Sequence, residues 1–157
     1  MLILYKIQMI KLILVLIFCI IIFIFSNTNS NESNKQSKGI IKEIVVKIYE
    51  IKQEEINEKE INKIVNKLNK PIRKIAHFTL YFILEFLILY LLLDSGITKK
   101  ELIISIIFCF IYSLSDEFHQ IFVNGRTGQF IDCIIDLFGA STAAIIFYII
   151  KKRRLHE

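Results

Sequence analysis

Hydrophobic residues gather in four long runs, Ile7–Phe25, Ile75–Leu93, Leu102–Phe122 and Phe130–Ile150, each near the ~20 residues a helix needs to cross a bilayer. The third run is interrupted. Its clean apolar part stops at Leu114, and its last two turns are tolerable in lipid only where they face other helices or water. The short link through Asn124, Gly125 and Arg126 predicts a hairpin of two antiparallel helices, with Gly125 ending the first. Between the first and second runs the pattern changes. Ser26–Gly39, reading SNTNSNESNKQSKG, has too little apolar content to fold alone and is expected to be a linker. Ile41, Ile44, Val45 and Ile48 then recur at i, i+3, i+4, i+7, as do Ile61, Ile64, Val65 and Leu68, which predicts two short amphipathic helices. Asn57 and Glu60 are placed to cap the second of these, and Pro71 is expected to end it and open the next. The predicted fold is all-α: a single domain over residues 1–157, with four transmembrane helices and an amphipathic helical segment in the connection 26–74.

Composition agrees with this pattern, since 54% of the 157 residues are hydrophobic. Apolar surface on that scale is buried in lipid rather than in a core of the chain's own, so the bilayer is the first expected partner. The net charge of +5 is informative through its placement. Lys151, Lys152, Arg153 and Arg154 follow the last run, Lys99 and Lys100 lie between the second and third, and Lys6 precedes the first. The bias of Lys and Arg toward the cytoplasm then puts both termini inside and the Arg126 turn outside, with 26–74 extracytoplasmic. Lys70, Arg73 and Lys74 oppose that assignment, at the end of a connection long enough for the bias to weaken. The first run lacks a small-x-small cleavage site and reads as a retained anchor. Cys19, Cys109 and Cys133 have neither metal-ligand spacing nor the look of a disulfide framework, and basic residues are not interleaved with aromatics as they are where nucleic acid binds.

Chemistry concentrates in Tyr112–Gly139, which places Asp116, Glu117, His119, Gln120, Arg126, Asp132 and Asp136 in and between two apolar runs. Ionisable groups in such surroundings are functional candidates by default. Counted outward from the turn, Asp116 and Asp136 lie at one depth, about 15 Å of helix away, and His119 and Asp132 at another, about 10 Å. Tyr112, Asp116, His119 and Gln120 share one helical face, whereas Glu117 is rotated about 100° from Asp116. On the second run, Arg73, His77, Tyr81 and Glu85 step by four and bring His77 and Tyr81 to the same end of the bundle. Plainer readings compete: His77 as an interfacial residue, Asp132 as a helix-start charge, and the whole group as a polar clamp between helices. Asp116 and Asp136 resist them, because two carboxylates at one depth repel unless they share a proton, a metal or a basic partner such as Arg126. Gly139 and Ala143 are expected to form a close helix contact.

These residues resemble the VanZ-like family of small membrane proteins. The resemblance is carried by Lys74-x-x-His77-Phe78-x-x-Tyr81, by Ser115-Asp116-Glu117-x-x-Gln120-x-Phe122-Val123-x-Gly125-Arg126, and by Asp132-x-x-x-Asp136-x-x-Gly139. Ser26 and the serine-rich run behind it fit the same pattern, while Asn124 stands where proline is common and Asp136 where asparagine is frequent. The resemblance implies a cell-envelope role and an association with low-level teicoplanin resistance. On that reading an outward polar cleft holds a lipid-linked wall precursor or the glycopeptide itself, with Lys74 and Arg126 meeting anionic groups.

Two other readings stay open: a membrane-embedded hydrolase or transferase, metal-assisted or not, and a proton- or ion-coupled carrier that uses Glu85 as its relay. Enzymatic activity is left undecided, no cofactor is indicated, and no metal site is assigned. Against the enzyme stand the absence of H-E-x-x-H and of a serine nucleophile elbow.

Overall fold

The computed structural model of the chain describes residues 2–92 and 98–154. Among these, five helices follow one another: α1 Leu2–Asn27, α2 Ser30–Lys52, α3 Glu58–Leu92, α4 Lys99–Gln120 and α5 Phe130–Arg154. Strands are absent from the described residues, and α1, α3, α4 and α5 are long and apolar enough to cross a membrane. The Leu93 end of the second predicted run falls outside the described residues.

α3 organises the bundle, touching each of the other helices and packing most extensively on α5. The cause is a stripe of small residues on α5, where Ala140, Ala143 and Ala144 are buried and Gly139 lies directly on the α3 backbone. A Cβ at Gly139 would collide with the carbonyl oxygen of Phe78 and come within 3.2 Å of the Phe82 nitrogen. Small residues permit such approaches, and close van der Waals contact is what joins helices in lipid. The close contact expected of Gly139 is therefore seen, against α3.

Side chains are distributed inside-out. α4 turns Ser105, Cys109, Ser113, Asp116, Glu117 and Gln120 inward and exposes Ile103, Ile107, Phe108, Ile111 and Phe118. Polar-in and apolar-out is the pattern that a hydrocarbon surround selects, since lipid competes for large apolar side chains but offers hydrogen bonds to none. Lys11 of α1 follows the same logic. It is buried, with its ammonium 4.4 Å from the centre of the Tyr90 ring.

The connection between the first two spans departs from expectation in three ways. Ser30–Gly39 is not a linker but the first half of α2, which Asn29 caps by accepting a 2.9 Å bond from the Glu32 amide. The run has partners that composition does not reveal: Asn34 Oδ1 accepts from Asn69 Nδ2 and Arg73 of α3, each at 3.2 Å. Second, the amphipathic segment is not a separate pair of short helices, because the second is the leading part of α3. Third, Pro71 lies inside α3. A proline within a helix removes one backbone bond and crowds the preceding turn, but here the position is exposed, so the carbonyl it leaves unpaired can be satisfied by water. The 35 residues of α3 thus run about 52 Å at 1.5 Å per residue. α2 lies antiparallel along the leading half of α3, burying Ile41 and Val45 against Ile61 and Val65, with Lys42 Nζ 3.3 Å from Glu58.

The α4–α5 link also differs: α4 stops at Gln120, five residues before Gly125. Gly125 instead takes φ 74° inside the turn, where a residue without Cβ is favoured. The amide of Ser30 donates to the Asn124 carbonyl at 3.3 Å, tying the start of α2 to this loop.

Gly139→Ala is expected to force α5 away from α3 and destabilise the bundle by about 1–3 kcal/mol, the usual range for overpacking. A lowered thermal midpoint in detergent checks this, and an unchanged midpoint would show that the helices do not meet here.

Candidate functional site

The end of the bundle where α1 and α4 finish and α5 begins carries nearly all the polar residues singled out above. At its centre, His77 of α3 faces Asp136 of α5, with Nδ1 3.3 Å from Oδ1. The two atoms are not aligned as a hydrogen bond, and both are buried without another partner. The other Asp136 oxygen accepts a 2.6 Å bond from Ser113 of α4, so three helices converge on a carboxylate that is 0% exposed. Glu117 joins from α4. Its Oε1 accepts from Gln120 Nε2 at 3.3 Å, and its Oε2 from the Gln129 amide at 2.7 Å. That last bond depends on Gly128, where a Cβ would strike the Glu117 carbonyl; without one, the loop folds tightly over the end of α4. Gln120 also donates to Asp116 Oδ2 at 3.1 Å, which links the two acids.

The two basic residues expected to meet anions are engaged inside the chain. Lys74 Nζ lies 2.8 Å from Asp132 Oδ1. Arg126 donates from Nε to the Thr28 carbonyl and from Nη2 to the Phe25 carbonyl, each at 2.8 Å. The last carbonyls of a helix have no partner within it and carry the negative end of its dipole, so Arg126 acts as a cationic cap on α1. Partial burial and the nearby Arg73 lower the Arg126 pKa, opposed by Asp116 and Glu117; a guanidinium remains charged all the same.

Among the residues singled out from sequence, the structure brings together His77, Tyr81, Asp116, Glu117, Gln120 and Asp136. His119 lies apart. It stacks on Phe23 at 4.8 Å and sits 3.3 Å from Asn27 Oδ1, and so belongs to the α1 contact. Glu117, which helical phase turned away from Asp116, is instead 5% exposed and inside the group, because α3 and α5 flank α4 on adjacent sides. Glu85 lies deeper, 0% exposed, with Ser105 Oγ donating to it at 2.6 Å and Cys109 Sγ at 3.3 Å. Ser113 escaped sequence reasoning, although a signal existed: Ser105, Cys109, Ser113 and Glu117 step by four down one face of α4.

Beside this group a cavity of about 490 Å³ opens between α1, α2 and α3. Its apolar wall includes Ile22, Phe25, Ile72 and Leu80, and its polar side includes Ser26, Ser37, His77, Tyr81 and Asp116. Ser26 Oγ, Ser37 Oγ and the Tyr81 hydroxyl are buried without hydrogen-bond partners, a condition costing roughly 1–3 kcal/mol per group unless a ligand or water supplies one.

Apolar outward faces and four helices long and apolar enough to cross a bilayer define a helical membrane-protein bundle. The family model described as VanZ/LLP1 matches residues 11–151, and the chain belongs to that family. No curated protein and no solved structure matches it.

Arg126→Ala is expected to free the last carbonyls of α1 and destabilise that contact by about 1–3 kcal/mol, the scale for bonds from a charged donor. Hydrogen exchange through residues 24–28 should quicken severalfold in detergent. Unchanged exchange would mean that Arg126 does not cap α1.

Proposed function

We propose that the chain is a VanZ-like protein of the bacterial cytoplasmic membrane that takes the polar end of an amphiphile into the cavity between α1, α2 and α3. The observation carrying this reading is the pairing of an apolar wall with three buried, unpartnered hydroxyls in one cavity of about 490 Å³. An amphiphile divides in the same way: its chains lie against Ile72 and Leu80, and its head group supplies the bonds that Ser26, Ser37 and Tyr81 lack. The Lys and Arg distribution puts this end of the bundle outside, with both termini cytoplasmic. The head group met there is that of a lipid-linked wall precursor. Occupancy at that surface lowers susceptibility to glycopeptides such as teicoplanin, because these drugs act on wall precursors outside the membrane.

A second reading is favoured by one observation, the convergence of His77, Glu117 and Asp136, of which His77 lines the cavity. Here the same head group is not only held but cleaved or transferred. Release of a polar product from a lipid-linked precursor by the purified protein, lost in Glu117→Gln, separates this reading from simple binding.

Expression of the wild-type chain in a sensitive Gram-positive host is expected to raise the teicoplanin concentration needed to stop growth. Ser37→Leu, which fills the cavity from α2, and Asp116→Asn are expected to return it to the vector level at equal membrane abundance. Full protection by both variants would remove the cavity from the function.

A further inference from the structure

We propose that His77, Glu117 and Asp136 bind a first-row divalent cation, Zn²⁺ or Mn²⁺, at a site that reaches the cavity through His77. One ligand atom from each of the three residues lies within 4.8 Å of the others. The two nearest, His77 Nδ1 and Asp136 Oδ1, are 3.3 Å apart, buried, and without hydrogen-bond partners. The spacing is that of an ion pair and equally that of two metal ligands, since two ligands each about 2.0–2.1 Å from a metal and subtending a tetrahedral angle are separated by about 3.3–3.4 Å.

The orienting contacts point the same way. Ser113 holds Asp136 by Oδ2 and leaves Oδ1 facing His77. Gln120 and the Gln129 amide hold the Glu117 carboxylate. Ligands oriented by such hydrogen bonds are what metal sites require.

Charge balance supplies an independent argument. Asp116, Glu117 and Asp136 are all buried, yet among the described residues no Lys or Arg nitrogen lies within 4 Å of any of them. Lys74 pairs with Asp132, Arg73 with Asn34, and Arg126 with the α1 carbonyls. His77, 3.3 Å from Asp136, can offset only one of three negative charges, and the remaining carboxylates must gain protons or a cation. One imidazole with two carboxylates suits Zn²⁺ or Mn²⁺ better than Mg²⁺ or Ca²⁺, which prefer all-oxygen sites. Three protein ligands leave a coordination position for water or an anionic oxygen. The inference rests on the donor group alone and holds whether the amphiphile is only bound or also cleaved.

The test uses full-length protein in detergent, stripped with EDTA and equilibrated with Zn²⁺ or with Mn²⁺. Bound metal and thermal midpoint are then measured. Wild type is expected to retain about one equivalent of either metal and to melt higher with it. Asp136→Asn and Glu117→Gln should bind at least tenfold more weakly, and Ser113→Ala, which only loosens Asp136, about 10–100-fold more weakly. His119→Gln removes a histidine outside the group and should bind as wild type does. The proposal is overturned if wild type retains no more metal than Asp136→Asn, or if His119→Gln loses as much as Glu117→Gln. Ser113→Ala guards against a folding artefact: full metal binding by a folded Ser113→Ala protein also counts against the site.

Discussion

The contact of Gly139 with the α3 backbone at Phe78 is the constraint on which the other features depend. It draws α5 against α3 closely enough that Asp136, one turn before Gly139, reaches His77, one residue before Phe78. Lys74 and Asp132 meet one turn nearer the end of the bundle. Close packing and the polar centre are thus one interface: the small residues that allow helices to associate in lipid also fix the spacing of the groups that chemistry would use.

Around that interface the cationic side chains are engaged away from Asp116, Glu117 and Asp136, whose hydrogen-bond donors are Gln120, the Gln129 amide and Ser113. Arg126 closes the end of α1, Lys74 neutralises Asp132, and Arg73 joins α3 to α2 through Asn34. Glu85 receives two donors deeper in the bundle, from Ser105 and Cys109. Among the described residues the buried side-chain atoms without a hydrogen-bond partner are at His77 and Asp136, at the hydroxyls of Ser26, Ser37 and Tyr81, and at Asn69 Oδ1. Buried polar atoms of this kind are ordinarily satisfied by water, an ion or a ligand.

The four spans were legible because a run near 20 apolar residues has few alternatives to crossing a bilayer. The hairpin was legible for the same reason: a short turn between two spans must bring the second back beside the first. What composition concealed was tertiary pairing. Ser30–Gly39 looks too polar to fold, but Asn34 bonds to α3 and Ser33 and Ser37 line the cavity. Pro71 looks like a boundary, yet at an exposed position it is accommodated inside α3. Helical phase alone grouped His119 with Asp116 and set Glu117 apart. The structure reverses this, because which face of α4 is inside depends on where α1, α3 and α5 stand, and one helix's periodicity carries no record of its neighbours.

The central claim is that α3 and α5 meet at His77 and Asp136 while His119 turns to α1. Cysteines introduced pairwise at 77 and 136, or at 119 and 136, in a chain lacking its own three, test it directly in native membranes with a short thiol crosslinker. Rapid crosslinking of the 77–136 pair with little reaction at 119–136 is the expected result. Crosslinking at 119–136 but not at 77–136 would contradict it, and would leave the polar centre without its first pair of residues.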